Sequence, residues 1–357
     1  MNYSLFMKFK VNAYISPNIF YGNPAQLWLF FALNILVIST PMKTTASEKF
    51  NWMIASPESR GLDSKSLKKL DQELKKKDLS PNELGKGRNV WYCMGYVLAT
   101  GRAESVALHD CDITTYNKEL LARLIYPVAN PQFNYEFCKG FYARVANGKI
   151  NGRVSRLLVS PLIQALKANL GQMDYLDYMD SFRYPLAGEF SFRRDVLNDI
   201  RIPSDWSLEV GVLSEMYRNY ANNRLCQVDI ADNYDHKHQS LSVNDESKGL
   251  SKMSIDIAKG LFRKLATQGV IFSQETFRSI KATYYRKALD VIENCHNDAV
   301  MNGLSLDVHE EEKAVEMFSQ NIIKAGEIFT AIPMERPFLP SWNRVVSAIP
   351  DIYDQLI

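Results

Sequence analysis

Two carboxylates two residues apart close an apolar run in Val106-Ala107-Leu108-His109-Asp110-Cys111-Asp112. Residues i and i+2 of an extended chain face the same way, so Asp110 and Asp112 can present paired oxygens at a strand's end. Hard oxygen ligands on one edge suit Mg2+ or Mn2+, which keep other positions for a phosphate-bearing molecule. A polar turn after a buried strand is the plainer alternative, because Asp-x-Asp recurs by chance.

Three further stretches have anion or acid chemistry. Gly85-Lys86-Gly87 precedes an apolar helix, Val90 to Leu98. A glycine-flanked lysine there offers free N–H groups, a positive dipole end and a mobile cation, although Gly-Lys-Gly is also an ordinary turn. Gly152-Arg153-Val154-Ser155 opens a second apolar helix carrying Leu157, Leu158, Leu162 and Leu166. An arginine, a serine and backbone N–H groups can hold a phosphate, or merely cap the helix. Glu209 stands at the start of a third, Val210 to Tyr217, where a carboxylate also suits the helix dipole. The densest set of ligand-type side chains follows the apolar run Gln227–Ala231: Asp232-Asn-Tyr-Asp-His236-Lys-His238-Gln239. His236 and His238, at i and i+2, can face one site and complete a coordination set, or lie in a polar surface loop.

These groups need strands and helices behind them. Val106–Leu108, Asn134–Arg144 and Gln227–Ala231 read as strands. Asn117–Tyr126 reads as a helix ended by Pro127, with Asn147-Gly148 and Asn151-Gly152 as turns. Ser56–Asp78 has the leucine spacing of an amphipathic helix, clearest from Asp63. Val243–Ser251 is polar and linker-like, Ile255–Phe329 is helical in period, and Pro333, Pro337 and Pro340 punctuate an irregular end. This predicts three regions: an apolar N-terminal segment 1–50, a catalytic core 51–245 and a C-terminal helical region 246–357.

Composition bounds the function. Hydrophobic residues at 46% and charged residues at 23% describe a globular chain. A formal charge of +2 argues against a general nucleic-acid surface. Cys93, Cys111, Cys138, Cys226 and Cys295 form no CxxC pair and read as free thiols in a reducing compartment, the cytoplasm. No charged residue occurs from Val11 to Met42, and neither Asp nor Glu before Glu48. The apolar run inside that segment, Leu27–Ile38, is about a dozen residues, short of the ~20 that span a bilayer. A buried strand or helix is expected there; weakly polar flanks stretch it only to a marginal membrane contact.

Taken in order, Gly-Lys-Gly, Asp-x-Asp, Gly-Arg-Val-Ser, Pro185-Leu186-Ala187-Gly188-Glu189, Leu208-Glu209-Val210-Gly211 and the His-rich strand end resemble the retaining glucosyl-3-phosphoglycerate synthases. The resemblance spans about Gly85 to Leu241. It implies a GT-A-type fold, a Rossmann-like mixed sheet flanked by helices, related to the mannosylglycerate-forming synthases. It implies transfer of glucose from UDP- or GDP-glucose to 3-phospho-D-glycerate, yielding glucosyl-3-phosphoglycerate for compatible-solute synthesis, with a homodimer compatible. Carried over, Lys86 lies on the diphosphate; Asp110, Asp112 and His236 hold Mg2+ or Mn2+; Leu186, Ala187 and Gly188 lie under the donor sugar. Gly152, Arg153, Val154, Ser155 and His238 hold the acceptor, and Glu209 works with Lys86 at the reacting groups. The departure is at the front: the strand–loop–strand that walls the base and ribose in such enzymes is not found in residues 1–60, which reads as divergent or truncated. The competing readings are a mannosyl-type or other GT-A transferase, and a non-catalytic relative.

Overall fold

A computed structural model describes residues 72–77, 79, 85–235, 249–333 and 338–356, and the backbone of 33–38. His236, His238, the segment 241–248 and nearly all of residues 1–71 lie outside the described residues. In chain order the elements are β1 (Leu33–Ile38), α1 (72–76), α2 (Lys86–Thr100), β2 (Ser105–Asp110), α3 (Lys118–Ala129) and β3 (Phe137–Tyr142). The hairpin β4 (Val145–Ala146) and β5 (Lys149–Ile150) follows, then α4 (Ser160–Leu170), α5 (Asp174–Asp180), β6 (Phe190–Arg193) and α6 (Val196–Asp199). Next come α7 (Leu208–Asn219), β7 (Leu225–Ala231), α8 (Gly249–Ala266), α9 (Gln274–Met301), α10 (Val308–Ala331), α11 (Trp342–Ala348) and α12 (Ile352–Leu356).

The expected mixed sheet flanked by helices is present. Its five strands run β1-β2-β6-β3-β7, with β3 and β7 parallel and the other neighbours antiparallel. β2 lies inside the sheet and is buried from Ser105 to His109, which explains its unbroken apolar run. The apolar N-terminal run supplies β1, in register Leu33↔Asp110 to Ile38↔Ser105. No described helix is long and apolar enough to cross a membrane.

Several local expectations are corrected. α3 continues through Pro127 to Ala129. In the last turn, a proline forfeits one backbone hydrogen bond while the buried Leu124 and Val128 keep the turn packed. The strand expected from Asn134 begins at Phe137, and α8 starts at Gly249, inside the stretch read as a linker. The C-terminal end is not simply irregular: α11 and α12 pack on α2. The Trp342 ring stacks on Trp91 with centroids 4.5 Å apart. Gly95 makes room for it, since a Cβ there would sit 1.9 Å from the Trp342 ring. Asn147 and Gly148, at φ 53° and 68°, form the tight turn of the β4–β5 hairpin. One continuous apolar core joins Val90, Leu158, Leu213, Leu261 and Phe318, so the C-terminal helices share the core of the sheet.

Candidate active site

Lys86 is the first residue of α2, and its Nζ lies between two acids: 2.9 Å from Asp110 Oδ1 and 2.7 Å from Glu209 Oε1. Burial alone would favour the neutral amine, but the two carboxylates outweigh it and raise the lysine above its ordinary range. Lys86 is therefore a permanent cation. The flanking glycines have a packing cause. A Cβ on Gly87 would lie 1.7 Å from the Pro203 carbonyl oxygen, and one on Gly85 2.1 Å from that of Ser204. Backbone against backbone is what lets the start of α2 reach the start of α7, where Glu209 is 5% exposed.

Asp110 ends β2, and Asp112 sits in the turn beyond it. Burial first, then the neighbouring Asp110 charge, pushes the Asp112 carboxyl up to about 6. Gly188 packs against the Asp110 carboxylate: a Cβ there would fall 2.5 Å from Asp110 Oδ1. Behind it, Ala187 is fully buried and its carbonyl accepts a hydrogen bond from the Lys139 Nζ, while Leu186 is half-buried. The Lys139 amine comes from β3, and burial lowers it to about 8 against the opposing pull of Glu209 and Glu189.

Glu189 is fully buried. Its Oε1 accepts the Tyr234 hydroxyl at 2.6 Å and its Oε2 the Tyr142 hydroxyl at 2.8 Å. Burial and the charge of Asp110 push it up to about 7. The two tyrosine rings stack with centroids 3.5 Å apart. Lys139 was not singled out in the sequence, and Glu189 and Tyr234 stood there only inside longer motifs with no role of their own; the one available signal for Lys139 was a lysine inside an otherwise apolar strand.

The Gly152–Ser155 loop has Gly152 at φ 79°, a conformation that favours glycine. From Val154 to Val159 the chain is a π-helix, feeding directly into α4; a wide turn of this kind is common at functional sites. Arg153 Nε donates to Glu311 Oε1 at 2.6 Å, and Arg156 Nη2 to Glu311 Oε2 at 2.7 Å. Val154 and Ser155 are buried, and the Ser155 hydroxyl lies against Tyr184.

Thus Lys86, Asp110, Glu209 and Gly188 meet directly, with Asp112 next to Asp110. The His236 and His238 positions lie outside the described residues, but the residue just before them is tied to the acid turn. The Thr114 N–H donates to the Asp235 carbonyl at 2.9 Å, and the Asp235 N–H to Thr115 Oγ1 at 3.0 Å. Among the described residues no three His, Cys, Asp or Glu side chains form a metal cluster. The Asp110–Asp112 pair still fits a divalent cation as a partial ligand set, because it sets hard carboxylate oxygens side by side at the end of β2.

No family model matches the chain. The glucosyl-3-phosphoglycerate synthase of Persephonella marina is 46% identical over 295 residues, 83% of this chain and 73% of that protein. The synthase of the same name from Methanococcoides burtonii is 40% identical over 299 residues, 82% of this chain and 72% of that protein. The crystal structure of the Mycobacterium tuberculosis enzyme, in complex with Mn2+, UDP-glucose and phosphoglyceric acid, is similar at 21% identity and a TM-score of 0.43. That match covers 57% of this chain, which spans 61% of the crystallised chain. With identities of 46% and 40% over more than four fifths of its length, the chain belongs to the glucosyl-3-phosphoglycerate synthase family.

Proposed function

We propose that this chain is a metal-dependent hexosyltransferase that moves glucose from a nucleotide-glucose donor, UDP- or GDP-glucose, to 3-phospho-D-glycerate with retention. The product, glucosyl-3-phosphoglycerate, feeds compatible-solute synthesis. The observation that carries the reading is the family relationship, together with Lys86 held between Asp110 and Glu209 at the mouth of the sheet.

In this reading Asp110 and Asp112, with His236, hold Mg2+ or Mn2+. When bound, that ion supplies a charge sink for the departing diphosphate. Lys86 acts on the same diphosphate, as a cation already positioned where negative charge develops. Leu186, Ala187 and Gly188 form the floor under the sugar. The bond from Lys139 to the Ala187 carbonyl keeps that floor rigid. Gly152, Arg153, Val154, Ser155 and His238 hold the acceptor so that its hydroxyl faces the anomeric carbon. Glu209, already bonded to Lys86, orients the lysine and contacts the sugar or acceptor hydroxyls. No carboxylate is assigned as a covalent nucleophile, so the acceptor attacks on the face that the diphosphate leaves, and the diphosphate takes its proton. Residues 51–245 make up most of the catalytic core, with β1 (Leu33–Ile38) added at the sheet edge, and 246–357 are a helical region that braces it. All five cysteines are free, which supports a reducing, cytoplasmic setting.

The test is a matrix of UDP-glucose, GDP-glucose and GDP-mannose with 3-phosphoglycerate and either metal, read by product mass. A glucosylated phosphoglycerate is expected. Mannosyl product alone, or none from any donor, overturns the reading.

A further inference from the structure

We propose that Arg144 is a specificity-determining residue that binds the carboxylate of the acidic acceptor. This rests on the acceptor reading above and goes beyond it, because Arg144 lies outside the Gly152–Ser155 motif.

Arg144 sits just past β3, and its backbone closes the acceptor loop: the Asn151 N–H donates to the Arg144 carbonyl at 2.7 Å. Its stem lies along Gly152, where a Cβ would be 3.1 Å from Arg144 Cγ. The guanidinium lies over the Tyr234 ring, 5.6 Å from the centroid, within the aromatic wall that clamps Glu189. It also faces the acid turn, since its charge opposes the burial-driven rise of Asp112.

Nε and Nη1 of Arg144 are buried and meet no hydrogen-bond acceptor among the described residues. A guanidinium does not deprotonate, so these donors cannot be silenced and leaving them unmet is costly. Arg153 and Arg156, on the same loop, are both already bonded to Glu311. Of these three arginines, Arg144 is the one with buried donors that go unmet among the described residues. Tyr184, beside the loop, feels both the Arg144 charge and a hydrogen bond from the Ser155 hydroxyl, so Arg144 and Ser155 converge on one tyrosine. The two unmet nitrogens of Arg144, beside the acceptor loop, call for an anionic molecule.

The planar fork of a guanidinium matches a carboxylate in a bidentate pair. In 3-phospho-D-glycerate the reacting hydroxyl is on the carbon next to the carboxylate. A residue gripping the carboxylate therefore also aims the hydroxyl, while the Arg153 loop takes the distant phosphate.

The test compares 3-phosphoglycerate with glycerol 3-phosphate, which keeps the phosphate and the secondary hydroxyl but lacks the carboxylate. Wild type should favour 3-phosphoglycerate in kcat/KM. Arg144→Gln should raise the 3-phosphoglycerate KM at least ~10-fold, leave the nucleotide-sugar KM within about twofold, and bring the two acceptors close to parity. Arg144→Lys, which keeps the charge without the fork, should fall between, and decides the matter if the glutamine variant does not fold. Equal losses on both acceptors, or an unchanged KM, overturn the assignment of Arg144 alone. A wild-type protein that uses neither acceptor overturns the acceptor reading, and this inference with it.

Discussion

Arg153 and Glu311 are 158 residues apart in sequence and meet at 2.6 Å, joining the Gly152–Ser155 loop to α10. Glu311 is 1% exposed and serves two arginines, one oxygen to each. The C-terminal helices therefore do more than cover the sheet: through Glu311, α10 pins the loop proposed to hold the acceptor.

Glu311→Ala should both destabilise the protein and loosen the acceptor. Breaking fully buried ion pairs costs about 3–5 kcal/mol, and the partial hydration of both arginines lowers the expectation to about 2–3 kcal/mol. The 3-phosphoglycerate KM should rise, with nucleotide binding unaffected. Arg153→Ala should raise the same KM about 10- to 100-fold. Urea denaturation and steady-state kinetics measure the two effects; a Glu311→Ala enzyme with wild-type acceptor KM would reduce the contact to a structural one.

Asp112→Ala should abolish transfer while the fold stays intact, because the proposed metal site loses a ligand that lies in a turn beyond β2. Asp112 is pushed up to about 6 by burial and Asp110, so a metal must displace a proton as the pH falls through that value. Mn2+ affinity, measured by calorimetry, should be weaker at pH 5 than at pH 7.5. Full turnover of the variant at saturating metal would remove Asp112 from the metal site.

Gly87→Ala should lose stability and activity together. The new Cβ would press on the Pro203 carbonyl oxygen at 1.7 Å, and a backbone atom cannot swing away. Overpacking of this kind costs about 3 kcal/mol. The start of α2 would shift and carry Lys86 off Glu209. Thermal melting and UDP binding with Mn2+ read both losses, and a variant that melts like wild type refutes the packing argument.

Lys139 gives a pH dependence with a definite sign. Its native value is lowered to about 8, chiefly by burial. The unfolded chain titrates near ~10.4, so between the two values it holds more protons than the native state and stability rises with pH. Lys139→Met removes that contribution. The stability difference, wild type minus variant, should therefore grow from pH 8 to pH 10 in urea titrations. A flat difference would place the native lysine in its ordinary range.

Much of the site was readable from local pattern. The acid pair at the end of an apolar strand, the glycine-flanked lysine and Glu209 in a first helical turn each depend on residues close in sequence, where side-chain direction follows from backbone period. That local logic also found the helices of the C-terminal half. Pro127 and the start of α8 were misread for the opposite reason: burial of Leu124, Val128 and Leu250 overrides weak local signals.

The long-range contacts belong to the tertiary structure alone. Lys139 looks like any polar interruption of a strand until the Ala187 carbonyl is seen above it. Glu311 is one of three consecutive acids, Glu310 to Glu312, and only helix packing selects it to be 1% exposed against two arginines. Arg144 carries no motif; its meaning lies in the absence of an acceptor around two buried nitrogens among the described residues. Such relations arise where distant segments exclude water together, and burial of that kind is set by the assembled core, not by the spacing of residues along the chain.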